Sequence, residues 1–461
     1  MPLGRIPISV ACIAGLSGVA AAQAEALPYQ REVDRWVECD RVNPIEPGRL
    51  LFAGSSSIRR WEALAHDFAD YQVVQRGFGG SQLHHLIAHF DRIVAPYRPS
   101  GIVLWMGTND LALGKSPETL VSELKHFVEK ARSVNPEVHV FYLGVIYTPK
   151  HSAPRDVLDE SNARIAAFAK ANRGVHYIDL PGAFKAMPSE AWNEMFVDPR
   201  HVNRAGYNVW TSLLRPSVES VIAPNAHNAS RADHDAGTVV LFDFGPSNPD
   251  AGEPTISADA FGRLWNNWID TEAPKIANSG ERVGDLRDVD GQPTGIAITL
   301  TGGFETNGKP AGGLVDPDRS LLRRFAVPSA TQDFFISGGD DRFGLGNDDV
   351  PGGLMITGVD PALTYDLGFF GSGVSDEVRV TEYRVTGVNG RAAQLQTSGP
   401  GSARDPWNRG NDDKVAWLNG LRPTRFGQLF VDVHVVEGMH GYLNAMEIRA
   451  REPSQTKRPG E

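Results

Sequence analysis

The chain has 461 residues, of which 41% are hydrophobic and 22% charged, and its formal net charge is −11. These proportions are typical of a folded globular protein, and the length favours two domains. The acidic balance argues against a nucleic-acid-binding protein, which needs a basic surface. The acidity is concentrated after residue 238, where 31 Asp and Glu accompany 21 Lys and Arg.

The first residues have the pattern of an export signal. Arg5 precedes an apolar run from Ile6 to Ala21, and Ala22-Gln23-Ala24 fits a small-x-small cleavage site. The run is shorter than the ~20 residues that a spanning helix needs, which argues against a transmembrane anchor. We predict a signal peptide over residues 1–24, cleaved after Ala24, and a periplasmic or secreted protein.

Two cysteines are present. Cys12 lies in the leader, where a lipoprotein signal is disfavoured because Ser9 stands where that signal prefers Leu. Cleavage leaves Cys39 alone, which excludes an intramolecular disulfide and a metal site built on cysteines.

Residues 25–222 alternate strand-like and helix-like segments. Pro117–Ser133 has the apolar spacing of an amphipathic helix. Near-continuous apolar runs, typical of strands buried on both faces of a parallel sheet, occupy Arg49–Ala53, Tyr71–Val74, Gly101–Met106, Val138–Tyr147 and His176–Leu180. The alternation predicts a doubly wound α/β domain.

The residue pattern changes after a polar, turn-rich segment at 223–237, which we interpret as a linker. Residues 238–450 contain short β-type segments separated by Gly, Pro, Asn and Asp, which predicts an all-β sandwich of jelly-roll type. The clearest of these segments are Thr238–Phe242, Gly295–Leu300, Asp333–Ile336 and Leu429–His434. Residues 451–461 are polar and predicted to be disordered.

Four separate segments supply the parts of an acyl-transfer site, which needs a nucleophile, a base, a group that orients the base and oxyanion donors. They are Gly54-Ser55-Ser56-Ser57, Gly77-Phe78-Gly79-Gly80-Ser81, Gly107-Thr108-Asn109-Asp110 and Asp198-Pro199-Arg200-His201. The first three follow predicted strands, where open α/β sheets bind ligands. His201 is the candidate base, Asp198 its orienting carboxylate, and the Asn109 amide a candidate oxyanion donor. Each segment alone is more often a cap or turn, but their joint occurrence favours catalysis.

These segments resemble the sequence blocks of the SGNH/GDSL hydrolases, a serine esterase family. The resemblance covers residues 45–222 and implies a three-layer α/β/α flavodoxin-like fold. It implies Ser56 as nucleophile, Asp198 and His201 as its partners, and Ser56 N–H, Gly80 N–H and Asn109 as oxyanion donors. The usual Gly-Asp-Ser is Gly54-Ser55-Ser56 here, so Ser57 stays an alternative nucleophile, although the turn spacing favours Ser56.

The second domain resembles galactose-binding-like β-sandwich modules, through Val240–Gly245, Trp265-Asn266-Asn267-Trp268, Phe369-Phe370-Gly371 and Gly441–Ile448. Its tryptophans are candidates for stacking on sugar rings, with core packing as the alternative. The candidates are Trp265, Trp268, Trp407 and Trp417.

No metal or other cofactor is expected for catalysis. His84, His85 and His89 are best interpreted as a polar helix face, because the sequence shows no paired carboxylates or cysteines near them. Acidic loops of the second domain could hold structural calcium or be solvated turns. These loops are Gly338–Asp341, Gly346–Asp349 and Asn411–Asp413.

Together these patterns predict an exported serine esterase, best interpreted as a carbohydrate O-acetylesterase. The alternatives are a lipase, arylesterase or thioesterase with the same residues, and a non-catalytic glycan-binding protein. The expected partner is an acylated carbohydrate or other small-acyl ester, with no nucleic acid.

Overall fold

The computed structural model describes residues 27–42, 44–71, 73–150, 153–224, 234–245, 250–256, 258–268, 276–277, 279–338, 352–404 and 409–453. Within these ranges a parallel α/β unit precedes a set of mostly antiparallel sheets. The predicted signal peptide and most of the predicted linker lie outside the described residues. Among the described helices, none is both long and apolar enough to cross a membrane.

The N-terminal unit is built on five parallel strands in the order β2-β1-β3-β4-β5, the flavodoxin-like order. The strands are β1 (Leu50–Gly54), β2 (Val74–Gly77), β3 (Gly101–Trp105), β4 (His139–Leu143) and β5 (Val175–Ile178). The helices are α1 (Gln30–Val42), α2 (Ser56–Arg59), α3 (Leu64–Asp67), α4 (Leu83–Ala88), α5 (Phe90–Ile93), α6 (Thr108–Ala112), α7 (Pro117–Val134), α8 (Arg155–Ala171), α9 (Leu180–Lys185), α10 (Ser189–Asn193) and α11 (Arg204–Glu219). The parallel α/β core predicted from the sequence is confirmed.

Helices cover both faces of this sheet because successive strand side chains point to opposite sides. In β1, Leu51 and Ala53 join a core with α1, α4, α5, α7 and α8. Leu50 and Phe52 join a second core with α2, α3, α9 and α11. The result is three layers, with all of β1 buried.

Two predicted strands have different bounds in the structure. The segment Tyr71–Val74 was placed too early, because Tyr71 ends a 3₁₀ turn and the strand begins only at Val74. The run Val138–Tyr147 is too long, because β4 ends at Leu143. The buried chain beyond it is held by Asn162, whose amide bonds both the N–H and the carbonyl of Val145 at 2.9 Å.

The described part of the C-terminal unit contains three sheets, with orders β16-β15-β18-β13-β10-β9, β19-β12-β11-β8 and β17-β14-β20-β6-β7. The strands are β6 (Val239–Asp243), β7 (Asn266–Asn267), β8 (Ile276–Ala277), β9 (Arg282–Val283), β10 (Ala297–Leu300), β11 (Phe304–Asn307), β12 (Phe334–Ser337), β13 (Gly352–Thr357), β14 (Thr364–Phe370), β15 (Arg379–Thr386), β16 (Gly390–Ser398), β17 (Ala416–Leu421), β18 (Gln428–Glu437), β19 (Gly441–Leu443) and β20 (Ala445–Arg451). Two short helices, α12 (Arg319–Leu322) and α13 (Pro328–Thr331), interrupt them.

One apolar core draws side chains from both the five-stranded and the six-stranded sheet, for example Phe369 of β14 and Val431 of β18. The predicted β-rich character of the C-terminal part is therefore confirmed, while the jelly-roll type stays a prediction. The predicted tail starts too early, because Arg451 ends β20. It pairs with Thr364, and its guanidinium binds Asp366 at 2.9 Å.

The two units make direct polar and apolar contacts. The Arg35 guanidinium donates to both carboxylate oxygens of Glu281, each at 2.8 Å. The Ser279 hydroxyl donates to the side-chain carbonyl of Gln75 at 2.7 Å. A cavity of about 420 Å³ lies at this junction. A small apolar cluster across the junction contains Ala65, Met355 and Phe430.

Candidate active site

The end of β1 turns sharply into α2 and presents Ser56. A Cβ on Gly54 would lie 2.5 Å from the Trp105 carbonyl oxygen, so only glycine fits between these strands. Ser56 is the first residue of α2, and its backbone N–H therefore has no acceptor within the helix. Ser57 is buried, and its carbonyl accepts a hydrogen bond from the Tyr207 hydroxyl at 2.7 Å. Of the two serines, Ser56 is the more accessible.

The loop before α11 brings His201 to this serine. His201 Nε2 lies 2.8 Å from Ser56 Oγ, and His201 Nδ1 lies 2.7 Å from Asp198 Oδ2. The contact joins residues that are 145 positions apart in sequence. The structure thus unites the three residues in the hydrogen-bonded order that proton transfer from a serine requires.

Asp198 accepts hydrogen bonds on both oxygens. Its Oδ1 accepts the backbone N–H groups of Arg200 at 2.7 Å and His201 at 2.9 Å. Its Oδ2 accepts Arg60 Nη1 at 2.6 Å as well as the imidazole. Burial by itself would raise the pKa of Asp198, but these donors outweigh it and hold that pKa at about 2. The carboxylate is therefore charged at neutral pH.

Arg60 is a member of the site that our sequence reasoning missed. Its side chain is 8% exposed, and its Nη1 lies 2.9 Å from His201 Nδ1 as well as close to Asp198. The signal in the sequence is its spacing, since residue i+4 of a helical turn lies beside residue i. Arg60 follows Ser56 by four positions, and its N–H donates to the Ser56 carbonyl at 2.8 Å.

The charge of Arg60 affects the imidazole. Burial lowers the pKa of His201, the positive charge of Arg60 lowers it further, and Asp198 opposes both effects. The net direction is downward, which favours the neutral imidazole that accepts a proton. Arg60 thus binds the carboxylate and also discourages protonation of its histidine partner.

Besides the Ser56 N–H, the predicted oxyanion donors are Gly80, in the turn before α4, and Asn109, in the first turn of α6. Gly80 has a φ of +74°, a conformation that favours glycine. The Asn109 amide donates one hydrogen to the Ser81 carbonyl at 2.9 Å, which leaves its second N–H for a ligand. Buried Asp110 accepts the N–H groups of Leu83 and Gly107, each at 3.0 Å. Asp110 therefore ties the start of α4, which follows the Gly80 turn, to the start of α6, which carries Asn109.

The three histidines that were predicted to form a polar helix face, His84, His85 and His89, each contact different groups. His85 Nδ1 accepts the Gln82 N–H at 3.0 Å, and His89 Nε2 lies 2.6 Å from the Pro28 carbonyl. His84 lies near the carboxylates of Asp110 and Glu123, a grouping close enough to hold a metal ion.

That grouping already contains a cation. The Lys115 ammonium lies 3.3 Å from His84 Nδ1, 2.7 Å from Asp110 and 2.6 Å from Glu123. We therefore assign no metal to this cluster.

A cavity of about 400 Å³ opens beyond the carboxyl ends of β4 and β5. Its lining combines the aromatic rings of Tyr147 and Trp192 with the charged groups of Arg155 and Lys185. The Lys150 N–H donates to the Pro199 carbonyl at 2.8 Å, which connects this region to the Asp198 loop. Ser56, His201 and the predicted oxyanion donors line neither this cavity nor the one between the units.

The structure corrects the predicted sugar-binding role of two tryptophans. Trp265 and Trp268 are 7% and 3% exposed and lie in two apolar cores of the second unit, where their faces are covered. Trp407 lies outside the described residues. Trp417 is 37% exposed on β17, with the Arg449 guanidinium 5.3 Å from its ring centre.

Only part of the acidic loops predicted as calcium candidates lies among the described residues. Of Gly338–Asp341 and Gly346–Asp349, only Gly338 is described. In the third loop, the Asn411 amide donates to the carbonyls of Gly371 and Lys414, and its oxygen accepts the Lys414 N–H at 3.0 Å. Asn411 is therefore used by the turn itself.

Comparison with known families agrees with this geometry. Residues 48–209 match the GDSL-like Lipase/Acylhydrolase family. The match covers Ser56, Gly80, Asn109, Asp198 and His201. It indicates an ester hydrolase domain in the N-terminal unit.

Several solved structures are similar to this part of the chain. A GDSL-like lipase from Bacteroides thetaiotaomicron is 19% identical, with 43% of this chain and 100% of that chain covered and a TM-score of 0.37. The lipase/acylhydrolase from Enterococcus faecalis is 17% identical, with 39% and 98% covered and a TM-score of 0.34. A carbohydrate esterase family 3 protein from Talaromyces cellulolyticus is 17% identical, with 38% and 98% covered and a TM-score of 0.33. The comparison with curated proteins finds no match.

Proposed function

We propose that the protein is an exported serine esterase that removes small acyl groups, chiefly acetyl, from carbohydrate. The observation that carries the esterase part is the hydrogen-bonded series from Ser56 through His201 to Asp198. Export rests on the leader pattern of residues 1–24. Carbohydrate as the substrate rests on the attached β-rich unit and on the cavity beyond β4 and β5.

In the proposed reaction, neutral His201 takes the Ser56 proton as the serine oxygen attacks the ester carbonyl. Charged Asp198 holds the imidazole with Nε2 towards the serine and stabilises the imidazolium that forms. The developing oxyanion is held by the N–H groups of Ser56 and Gly80 and by the Asn109 amide. His201 then protonates the departing alcohol, and a water molecule hydrolyses the acyl-enzyme by the same steps.

The cavity lined by Tyr147 and Trp192 is proposed to receive the sugar. It lies at the carboxyl edge of the sheet, where α/β proteins bind ligands. Aromatic faces beside charged side chains suit a sugar ring, which has an apolar face and a polar rim. A long aliphatic acyl chain in this cavity would lie beside the charged groups of Arg155 and Lys185.

The decisive test compares Ser56→Ala with Ser57→Ala, a matched pair that removes one hydroxyl at adjacent positions. With p-nitrophenyl acetate, Ser56→Ala is expected to lower kcat by roughly 10⁴ or more, and Ser57→Ala to leave most activity. Loss of activity in Ser57→Ala alone would assign the nucleophile to Ser57. Activity retained in both variants would refute a serine mechanism at this turn.

The substrate is tested with acyl series and polymers. We expect the enzyme to hydrolyse p-nitrophenyl acetate faster than p-nitrophenyl octanoate, and to release acetate from acetylated polysaccharide. Trp192→Ala is expected to raise KM for the polysaccharide while changing p-nitrophenyl acetate turnover little. A preference for octanoate, with no acetate release from any polysaccharide, would support the lipase-type alternative instead.

A further inference from the structure

Several buried side-chain oxygens in the second unit have no hydrogen-bond donor among the described residues. Three of them are Oδ1 of Asp243, Oδ1 of Asp333 and Oδ1 of Asn267. The two aspartates are 3% and 1% exposed. A buried carboxylate that lacks a donor or a cation carries a large desolvation cost, so such oxygens need a structural explanation.

Two of these oxygens lie on neighbouring strands. Asp243 of β6 and Asn267 of β7 are register partners in a parallel pair, so their side chains project from the same face. Thr255 donates its N–H at 3.1 Å and its hydroxyl at 2.9 Å to Asp243 Oδ2. The Asn267 amide nitrogen donates to the Thr255 carbonyl at 3.0 Å. These contacts fix both side chains and leave each Oδ1 directed elsewhere.

Asp333, which directly precedes β12, brings the third oxygen. Burial, and then the charge of nearby Asp243, raises the pKa of Asp333, so the two carboxylates lie within electrostatic reach. A Cβ on Gly245 would be 2.7 Å from Asp333 Oδ1, and one on Gly252 would be 1.8 Å from its Oδ2. Bare backbone at these glycines therefore encloses the carboxylate.

A side-chain cation does not account for the pair. The attraction of Lys309 lowers the pKa of Asp333, but the Lys309 ammonium has its own contact with Glu253 at 3.6 Å. No salt bridge joins a lysine or arginine to Asp243 or Asp333 within the described ranges. Charges on both of these carboxylates would repel each other, and a bound positive ion would stabilise the doubly charged pair.

We propose that Asp243, Asp333 and Asn267 bind a calcium ion that joins the start of β12 to the ends of β6 and β7. Calcium takes oxygen ligands in irregular sets of carboxylates, amides, carbonyls and water, whereas magnesium demands a small, near-octahedral set. Zinc prefers nitrogen and sulfur ligands, which these residues do not offer. The ion connects β6 and β7 of the five-stranded sheet with the start of β12 in the four-stranded sheet, and its ligands include no residue of the acidic loops predicted from the sequence.

Thermal unfolding of the full-length protein tests the site without using catalysis. Metal is removed with a chelator, its removal is verified by elemental analysis, and calcium chloride, magnesium chloride or sodium chloride of equal ionic strength is added. Calcium at about a hundredfold over its Kd is expected to raise the Tm of the second unit by roughly 5–10 °C. Magnesium is expected to do less and sodium nothing. Terbium luminescence excited through the neighbouring Trp268 provides a direct binding readout.

Asp333→Asn separates binding from a packing role because it keeps the shape of the side chain. In this variant the calcium shift should be lost, while the metal-free Tm should equal or exceed that of the metal-free parent, since one of two buried carboxyl groups that repel each other when charged is gone. Asp376→Asn is the control, since its side chain is 97% exposed in the same unit, and it should keep the full shift. Asn267→Asp supplies a second variant, expected to bind calcium more tightly and to be less stable without it.

Three outcomes would overturn the proposal. The first is a metal-free parent that neither binds calcium by calorimetry nor changes its Tm, which would leave a proton shared between the aspartates. The second is an undiminished calcium shift in Asp333→Asn. The third is loss of the shift in Asp412→Asn, which would place the ion in the acidic loop instead.

Discussion

Replacing Asp198 by asparagine tests the proposed catalytic geometry with little change in volume. Four N–H groups point at the two carboxylate oxygens, two from the backbone and two from the side chains of Arg60 and His201. An asparagine must place its own N–H₂ against one of these pairs, so donor faces donor in either orientation. The least costly response is for His201 to move its proton from Nδ1 to Nε2.

That change would point the imidazole proton at Ser56 and remove the base. Arg60 would stabilise this tautomer, because its Nη1 lies 2.9 Å from His201 Nδ1 and can donate a hydrogen bond to a deprotonated Nδ1. The corresponding carboxylate-to-amide change in the serine protease triad lowers kcat by roughly 10⁴, about 5 kcal/mol of transition-state stabilisation. We expect a loss of that order for Asp198→Asn.

The assay is steady-state hydrolysis of p-nitrophenyl acetate, with the fold checked by circular dichroism. Asp91→Asn is the control, because Asp91 is an exposed carboxylate paired only loosely with Lys130 at 3.3 Å. It should keep parental kcat. A folded Asp198→Asn enzyme with kcat within tenfold of the parent would refute the orienting role of Asp198.

Three further predictions address the rest of the site. Arg60→Met removes a positive charge that lowers the pKa of His201, so the acidic limb of the pH profile of kcat/KM should move to higher pH. An acidic limb at the same pH or at lower pH would contradict this. Asn109→Ala should reduce kcat by roughly 10²–10³ with little change in KM, because an oxyanion donor acts mainly in the transition state. If Asn109→Ala instead raised KM and left kcat unchanged, Asn109 would position the substrate and would not stabilise the oxyanion. A chain ending at Ala223 should still hydrolyse p-nitrophenyl acetate but unfold at lower temperature, and a collapse of turnover in soluble, folded protein would show that the second unit completes the site.

The fold of the N-terminal unit could be predicted because its signals are local. Apolar runs mark buried strands, and the residues that follow them lie together because parallel strands end at one edge. The same rule located Ser56 and Asn109. Arg60 was missed because its four-residue spacing from Ser56 does not by itself reveal the contact with Asp198, which lies 138 positions away.

The second unit was harder to interpret for the same reason. A tryptophan in an all-β sequence is compatible with a core or with a binding face, and only tertiary packing placed Trp265 and Trp268 inside. Asp243 lies in β6 and Asp333 directly before β12, 90 positions later, so no local pattern in the sequence pairs them. The hydrogen bond between Ser279 and Gln75 likewise joins residues far apart in sequence, so no sequence pattern predicts it.

The junction between the units has a consequence for solubility. β2 is an edge strand of the parallel sheet, and such edges offer unpaired backbone groups to other chains. Here Gly280 lies so close that a Cβ would come within 2.5 Å of the Gln75 carbonyl oxygen, and Ser279 bonds the Gln75 side chain. The second unit thus acts as a cover over this edge. Separation of the units, by proteolysis or by a bulky residue at position 280, would expose the edge to intermolecular strand pairing and so promote aggregation.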